Sequence, residues 1–230
     1  MTEHLHSCPW SGFEQRTVSF CEAPLCGYIV EPANSWSNIG YLIVAFLILR
    51  REKKLNFFAI TSAYLFFGST AFHATGTFFG EVLDLSAMFL ISGTLLTLNA
   101  QRVFGLDTKK SQLFFWSLFL VSIVILLIFK PLGIAIFSVQ SILYVLSEIK
   151  LAKDKPQNFS YGLFKIGIAI FAAAFFIWVL DITKVLCDPH NHIFTGHSAW
   201  HLLTAAAIYY FYRFYSYVNQ VWPSKKTSLN

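Results

Sequence analysis

The chain has few charged residues: Asp, Glu, Lys and Arg make up 13% of its 230 residues, whereas soluble domains usually carry about 25%. The apolar residues account for 56% of the chain and occur in blocks long enough to cross a bilayer, which takes about 20 residues. This composition excludes a soluble globular fold. The sequence therefore predicts an integral membrane protein.

Other common signals are also lacking. The first thirty residues contain several charged side chains and no apolar core of the length that a cleavable signal peptide requires, so we expect none. Neither an internal repeat nor a low-complexity segment is present. The net charge of +5 does not indicate a nucleic-acid partner, because the basic residues lie between the apolar blocks, where they act as topology signals.

The apolar blocks predict an all-α bundle of seven transmembrane helices. Their predicted ranges are 34–50, 56–75, 81–101, 112–129, 132–149, 161–183 and 196–215. We therefore expect three parts: a non-cytoplasmic N-terminal segment over residues 1–33, the seven-helix domain over 34–215 and a cytoplasmic tail over 216–230.

The basic residues are distributed unevenly between the two sides of this topology. Thirteen lie on one side: Arg50, Arg51, Lys53, Lys54, Arg102, Lys109, Lys110, Lys150, Lys153, Lys155, Arg213, Lys225 and Lys226. The other side carries only Arg16, Lys130 and Lys184. Because Lys and Arg concentrate in cytoplasmic loops, the N-terminus is expected outside and the C-terminus in the cytoplasm.

All four cysteines fall on the non-cytoplasmic side of the predicted topology: Cys8, Cys21, Cys26 and Cys187. This placement agrees with the topology, which was built without them, because an oxidising compartment permits disulfides on that side. A bond between Cys21 and Cys187 would tie the N-terminal segment to the connection before the last helix. Free thiols are the alternative.

Five polar residues are expected to share one depth near the outer surface of the membrane. The second span runs outward and carries Ser69 and His73 in its last turn, and the third runs back inward with Asp84 in its first turn. The seventh span begins outside with His197 and His201. Ionisable residues are costly inside a bilayer, so this group is a candidate functional site.

The histidines in this group indicate a metal site. His197 and His201 are four residues apart and project from one helix face, a spacing that suits two ligands of one ion. With His73 they form the three-imidazole set of a catalytic zinc, which leaves a fourth position for water. Zinc is favoured, although iron and copper are compatible with the spacing. Haem is disfavoured, because its axial ligands must face each other across the ring.

Ser69 and Asp84 have catalytic interpretations beside such a metal. Asp84 would orient a water molecule and accept its proton as general base, and Ser69 would donate a hydrogen bond to the developing oxyanion. Two structural alternatives remain open. Asp84 would cap the third helix, where its charge suits the helix dipole, and Ser69 would bond the backbone of its own helix.

Three residues near the last two spans receive other interpretations. Trp200 lies between the two histidines of the last helix and either lines a lipid pocket or marks the membrane interface. Asp181 is expected to pair with Lys184, three residues further along the helix. No ligand role is expected for His192 in the loop before the last span.

At these residues the chain resembles the alkaline ceramidases of the CREST group of seven-helix membrane hydrolases. The matching blocks are Phe20–Glu22, Glu31-x-x-Asn34-x-x-Ser37-Asn38, Gly68–His73, Asp84 and Gly196–His201. The fourth and fifth spans carry no matching motif. The resemblance implies zinc on the three histidines, the roles given above for Asp84 and Ser69, and a disulfide between Cys21 and Cys187.

The resemblance also implies a calcium site in the N-terminal segment, from which this chain departs. Glu22 and Glu31 match, but Ser19 stands where an aspartate is usual and Pro24 replaces an oxygen-bearing side chain. Calcium takes six to eight oxygen ligands, so the remaining set predicts a weaker site. The alternative is that Glu22 and Glu31 are surface or helix-capping groups.

The resemblance, taken with the site residues, implies a zinc-dependent amidase that hydrolyses a ceramide-like lipid, delivered laterally within the membrane, to a sphingoid base and a fatty acid. One alternative is a seven-helix receptor or scaffold with a structural zinc, and another is a lipid ester hydrolase. The membrane would be a bacterial inner membrane or a eukaryotic endomembrane, with the site on its non-cytoplasmic side. The sequence does not indicate the oligomeric state.

Overall fold

The computed structural model describes the backbone of residues 8–52, 56–154 and 160–221. The ends of the predicted N-terminal segment and tail, residues 1–7 and 222–230, lie outside the described residues. The same holds for five of the basic residues used to predict the orientation, namely Lys53, Lys54, Lys155, Lys225 and Lys226.

The described residues fold into α-helices joined by short connections, and they contain no β-strand. The helices are α1 (Pro32–Trp36), α2 (Ile39–Arg51), α3 (Phe57–Thr75), α4 (Phe78–Phe104), α5 (Thr108–Ile128), α6 (Gly133–Asp154), α7 (Gly162–Ile182) and α8 (Gly196–Val221). A short 3-10 helix, Lys130–Leu132, precedes α6. The prediction of an all-helical bundle is confirmed.

Six segments are long and apolar enough to cross a membrane: Pro32–Arg51, Phe57–Thr75, Phe78–Phe104, Thr108–Ile128, Lys130–Asp154 and Gly162–Ile182. The prediction of a membrane protein is supported by this set. Helix α8, which corresponds to the predicted span 196–215, has 26 residues but is not among the six. It carries two histidines, Arg213 and several tyrosines. The count of seven spans therefore remains a prediction.

The boundary of α4 differs from the predicted one because of local capping. The helix begins at Phe78, three residues before the predicted start, and the Thr77 side chain caps it by accepting a hydrogen bond from Gly80 N at 3.2 Å. Asp84 is consequently in the second turn of α4 and not in the first, as predicted. It is too far from the helix start to cap it, so the capping alternative for Asp84 is wrong.

Helices α3 and α4 approach each other closely through two glycines. A Cβ atom on Gly68 would lie 2.8 Å from the Leu83 carbonyl oxygen, and one on Gly80 would lie 2.6 Å from Phe72 Cα. Small residues allow such close contacts between membrane helices. This packing places the end of α3, which carries Ser69 and His73, against the second turn of α4.

The N-terminal segment covers the end of the bundle where α3 meets α4 and α7 meets α8, which we call the site end. Main-chain hydrogen bonds join it to the α3–α4 connection, from Arg16 N to Gly76 O at 3.1 Å and from Phe78 N to Glu14 O at 2.8 Å. Two disulfides hold the segment, Cys8–Cys26 and Cys21–Cys187. The first of these pairings was not predicted.

A buried polar cluster lies at the opposite end of the bundle. Arg102, which the sequence assigns to a loop, is in the last turn of α4 and contacts both carboxylate oxygens of Glu148 on α6, at 2.8 and 2.7 Å. The Tyr215 hydroxyl on α8 lies 2.7 Å from Oδ1 of Asn99 and 3.0 Å from Oε2 of Glu148. This cluster connects three helices, and it explains why Glu148 is tolerated inside an apolar bundle.

Candidate metal centre

The three histidines singled out in the sequence converge at the site end. His73 lies in the last turns of α3, and His197 and His201 lie in the first turns of α8. All three are buried, and one ring nitrogen from each lies within 4.8 Å of the others. The Nε2 atoms of His73 and His197 are 3.2 Å apart. Two nitrogens bound tetrahedrally to one zinc ion lie about 3.3 Å apart, so this arrangement fits zinc.

The Nδ1 atom of His73 is held by a carboxylate. It lies 2.7 Å from Oε2 of Glu31, whose other oxygen contacts Nη2 of Arg16 at 2.5 Å. Burial alone would raise the pKa of the Glu31 carboxyl, but the hydrogen bonds and charges of His73 and Arg16 lower it to about 2. Glu31 is therefore a carboxylate that accepts the Nδ1 proton of His73, which leaves the Nε2 lone pair for a metal.

His201 is oriented by a hydroxyl group. Its Nδ1 atom lies 2.9 Å from Oγ of Ser37, and that hydroxyl donates its own proton to the Asn34 carbonyl oxygen at 3.1 Å. Because the Ser37 proton is used in this way, the hydroxyl accepts the Nδ1 proton of His201. The Nε2 atom of His201 is then an acceptor, as in His73.

His197 is held by ring stacking and through its backbone. Its ring stacks on Phe20, with the ring centroids 3.7 Å apart, and within the described part of the chain its Nδ1 atom has no hydrogen-bond partner. Its backbone N–H donates to Oδ2 of Asp181 at 2.9 Å, and Oδ1 of Asp181 accepts from Cys21 N at 3.0 Å. Both carboxylate oxygens thus bind backbone amides, so the expected pairing of Asp181 with Lys184 is wrong.

Asp84 and Ser69 lie beside the histidines. The Ser69 hydroxyl is next to the Asp84 carboxylate, which is also close enough to His73 to interact with it electrostatically. Ser69 is buried, and among the described residues its Oγ atom forms no hydrogen bond of normal geometry. Ser69 therefore does not form the hydrogen bond to its own helix backbone that the structural alternative predicted.

Two small apolar cavities meet at this group. Asp84 and Trp200 line both cavities, while His201 lines the first and His197 the second. Trp200 is buried and packs against Phe171 at a centroid distance of 5.9 Å. It therefore lines a pocket, and it does not mark the membrane interface. A molecule in either cavity would lie beside the Asp84 carboxylate and one of the two α8 histidines.

A wider groove between α6 and α7 adjoins the first cavity. It has a volume of about 490 Å³ and a lining that is almost entirely apolar. Phe137, Ser141 and Phe171 line both the groove and the first cavity. An apolar chain lying in this groove would therefore be next to the cavity that contains Asp84 and His201.

Two residues expected to bind calcium have different partners: Glu31 contacts His73, as described above, and Glu22 contacts the start of α1. Glu22 is buried, and its carboxylate accepts the backbone N–H groups of Ala33 and Asn34 at the start of α1, both at 2.9 Å. The helix-capping alternative thus describes Glu22. His192, for which no role was expected, contacts Glu22 Oε1 through Nδ1 at 3.0 Å. Ser19 is exposed.

Sequence reasoning missed several residues that position the histidines. Asp181 gave the clearest signal, because it is the only acidic residue in the apolar helix α7. Phe20 and Ser37 lie in the blocks that match the family, but their residue types do not indicate contacts with the histidines, because an aromatic ring and a hydroxyl are ordinary in a membrane helix bundle. Arg16 was counted only as one of the few basic residues on its side of the membrane.

The comparisons with known proteins agree with this geometry. The family model described as Ceramidase matches residues 13–228. Alkaline ceramidase 1 of Mus musculus is 24% identical over 218 residues, which cover 86% of this chain and 78% of that protein. The match extends over all the elements that carry the histidine cluster and its partners.

Proposed function

Because the chain belongs to the ceramidase family, we propose that it is a zinc-dependent amidase acting on a ceramide-like lipid within the membrane. Family membership and the similarity to alkaline ceramidase 1 indicate a hydrolase. The observation that carries the finer proposal is the position of Asp84, which lines two apolar cavities beside three convergent histidine nitrogens.

Zinc would be held by the Nε2 atoms of His73 and His201 together with a ring nitrogen of His197. When bound, it would polarise the substrate carbonyl and lower the pKa of a water molecule. The donor set supports zinc, because neutral imidazoles suit this ion and because Glu31 and Ser37 hold two of the rings in the required tautomer. Water and substrate would reach the site from the two cavities that Asp84 lines.

Asp84 and Ser69 would carry the proton transfer and stabilise the transition state. Asp84 would accept a proton from the attacking water and then deliver it to the leaving amine nitrogen as the C–N bond breaks. Ser69, whose hydroxyl has no hydrogen bond of normal geometry among the described residues, would donate to the negative charge that develops on the carbonyl oxygen. Water thus adds to the carbonyl carbon, and a fatty acid and a sphingoid base leave.

The substrate would enter laterally from the lipid. The groove between α6 and α7 is apolar and shares three lining residues with the first cavity, so an alkyl chain in the groove would have its amide near Asp84. This route suits a substrate whose chains stay in hydrocarbon while its polar headgroup stays at the membrane surface. The cavities themselves hold only the reacting end of the lipid.

The site would face the non-cytoplasmic side, in a bacterial inner membrane or a eukaryotic endomembrane. The two disulfides at the site end support this orientation, because such bonds persist in oxidising compartments. The excess of basic residues in the opposite loops supports it as well. Tags on the two ends of the chain, probed with a membrane-impermeant reagent in sealed vesicles, would test it.

The function is tested with purified protein incubated with ceramide or with a phospholipid ester, before and after zinc removal by a chelator. His197→Ala should lose both zinc and activity. Asp84→Asn should keep zinc yet lose about 100-fold or more in rate, while Asp188→Asn, in the exposed loop before α8, should match the unmodified chain. These variants separate loss of the metal from loss of the general base.

The outcomes distinguish the alternatives. Chelator-resistant activity, or full activity in His197→Ala, would refute the zinc-dependent reaction. Turnover of the ester but not of ceramide would replace the amidase by a lipid ester hydrolase. If zinc binds stoichiometrically and no lipid is turned over, a receptor or scaffold with a structural zinc becomes the better description.

A further inference from the structure

The acidic residues of the N-terminal segment do not fit a calcium ion, although the family resemblance implies one there. Calcium requires six to eight oxygen ligands with free lone pairs. In this chain the carboxylates of Glu22 and Glu31 are buried; three of their four oxygens lie at hydrogen-bond distance from N–H groups, and the fourth, Oε1 of Glu31, contacts the Arg16 guanidinium. Hydrogen atoms that point at a carboxylate carry partial positive charge and repel a cation.

Glu31 is neutralised by an internal cation. The Arg16 guanidinium contacts Oε1 at 2.5 Å, with the Arg16 side chain only 11% exposed and that of Glu31 fully buried. The other oxygen, Oε2, faces His73 Nδ1 at 2.7 Å and Asn34 Nδ2 at 3.2 Å. Arg16 also lies over the ring of Phe20, 5.8 Å from its centroid. A permanent positive charge thus occupies the place next to Glu31 where a metal would have to bind.

Glu22 is likewise engaged on both oxygens. Oε1 faces Ala33 N and His192 Nδ1 at 2.9 and 3.0 Å, and Oε2 accepts from Asn34 N at 2.9 Å. The remaining residue of the expected site, Ser19, is exposed and carries a hydroxyl in place of a carboxylate. The two acidic residues therefore act as acceptors for protein N–H groups, and they offer no open cage of oxygens.

We propose that Arg16 takes the place of calcium in this chain: the segment binds no calcium, and Arg16 is a positioning residue that holds Glu31 against Nδ1 of His73. The guanidinium is suited to this role because it stays charged and presents planar N–H donors to a carboxylate. The statement about calcium stands on the carboxylate contacts alone. The effect of Arg16 on His73 rests on the proposed zinc site.

Direct calcium binding tests the first statement. The purified full chain, zinc-loaded and metal-free in parallel, is dialysed against radioactive calcium up to about 1 mM, which covers the weak end of protein calcium sites. We expect no saturable binding that depends on Glu22 and no calcium-dependent change in Tm. One saturable calcium per chain that is abolished by Glu22→Gln would overturn the proposal. Saturable binding that persists in Glu22→Gln lies elsewhere and agrees with it.

Zinc affinity tests the role of Arg16. Arg16→Ala should raise the zinc dissociation constant about 10-fold, the lower end of the effect for residues that support metal ligands. Arg16→Lys, which keeps the charge, should recover part of that loss. Arg50→Ala removes an exposed arginine whose guanidinium lies over the Phe46 ring, and it should leave the constant unchanged.

Two results would overturn this role: an unchanged zinc dissociation constant in Arg16→Ala, or a loss in Arg16→Lys as large as in Arg16→Ala. If Arg16→Ala does not fold, the zinc dissociation constant of Arg16→Lys is compared with that of Arg50→Lys. An unchanged zinc dissociation constant in Arg16→Lys, together with calcium binding at Glu22, would then count against the proposal. A chain that binds no zinc at all would refute the proposed function. The calcium measurement on the metal-free protein would still decide whether the N-terminal segment binds calcium.

Discussion

Asp181→Asn is the substitution that best tests how the site end is held together. The Asp181 carboxylate accepts backbone N–H groups from His197 at 2.9 Å and from Cys21 at 3.0 Å. It therefore joins the first turn of α8 to the N-terminal segment, next to the disulfide between Cys21 and Cys187. Asparagine has the same shape, but one of its two terminal atoms is an N–H donor that cannot accept either bond.

The expected cost follows from this geometry. One hydrogen bond to a charged acceptor is lost, which is worth about 1.5–3 kcal/mol. Asparagine spares the cost of burying a charge in an apolar helix, so we expect the lower part of this range for the change in the free energy of unfolding. If the orphaned amide is that of His197, the first turn of α8 shifts, and zinc affinity should fall by about 10-fold, as for other residues that support metal ligands.

The measurement combines Tm with zinc retention against a competing chelator. Asp188→Asn is the matched control, because it makes the same change in the connection before α8 at an exposed residue. Among the described residues, the Asp188 carboxylate accepts one hydrogen bond, from the His190 N–H at 3.2 Å. Asp181→Asn should lower both quantities, and Asp188→Asn should change neither. Equal Tm and equal zinc retention in the two variants would refute the bridging role of Asp181.

Two further substitutions test packing contacts that do not involve the three histidines. Gly80→Ala places a Cβ atom 2.6 Å from Phe72 Cα and should destabilise the protein by about 1–3 kcal/mol through overpacking. Gly12→Ala is the control, because among the described residues no atom beyond its chain neighbours lies within 4 Å of the added Cβ. Equal Tm values in the two variants would contradict the close approach of α3 and α4. Arg102→Ala leaves the Glu148 carboxylate buried without its cation and should lower the free energy of unfolding by about 3–5 kcal/mol. The expected result is a lower Tm with an unchanged zinc affinity. A loss of zinc-binding free energy as large as the loss of stability would contradict the separation of this polar cluster from the histidine cluster.

The convergence of the histidines could be predicted because it depends only on topology. Consecutive membrane helices run in opposite directions, so the end of one span and the start of the next lie at the same depth. This rule places His73, Asp84 and His197 together without any knowledge of side-chain packing. The exact start of α4 could not be predicted in this way, because it depends on the Thr77 cap. Because the helix starts three residues earlier than predicted, Asp84 lies in its second turn.

The partners of the histidines could not be predicted, because they come from positions far apart in the chain. Glu31 and His73 are separated by 42 residues, and Ser37 and His201 by 164. Local rules were misleading at Asp181, since a lysine three residues further along a helix is a common partner for an aspartate. The helix α7 ends at Ile182, however, and Lys184 has a positive φ of 57°, so the regular spacing is lost.

The break between α1 and α2 links the irregular backbone to the histidine cluster. In a continuous helix the Asn34 carbonyl would accept the backbone N–H of Asn38, four residues on. Here it accepts the Ser37 hydroxyl at 3.1 Å and the Asn38 side-chain amide at 2.9 Å. Side chains that compete with the helix backbone in this way interrupt the helix. Such an interruption is tolerated at membrane depth only where the backbone is buried in protein, and Ser37 and Asn38 are fully buried. The same hydrogen bond that breaks the helix leaves the Ser37 oxygen free to accept from His201. A regular first span would therefore remove the support of one histidine of the cluster.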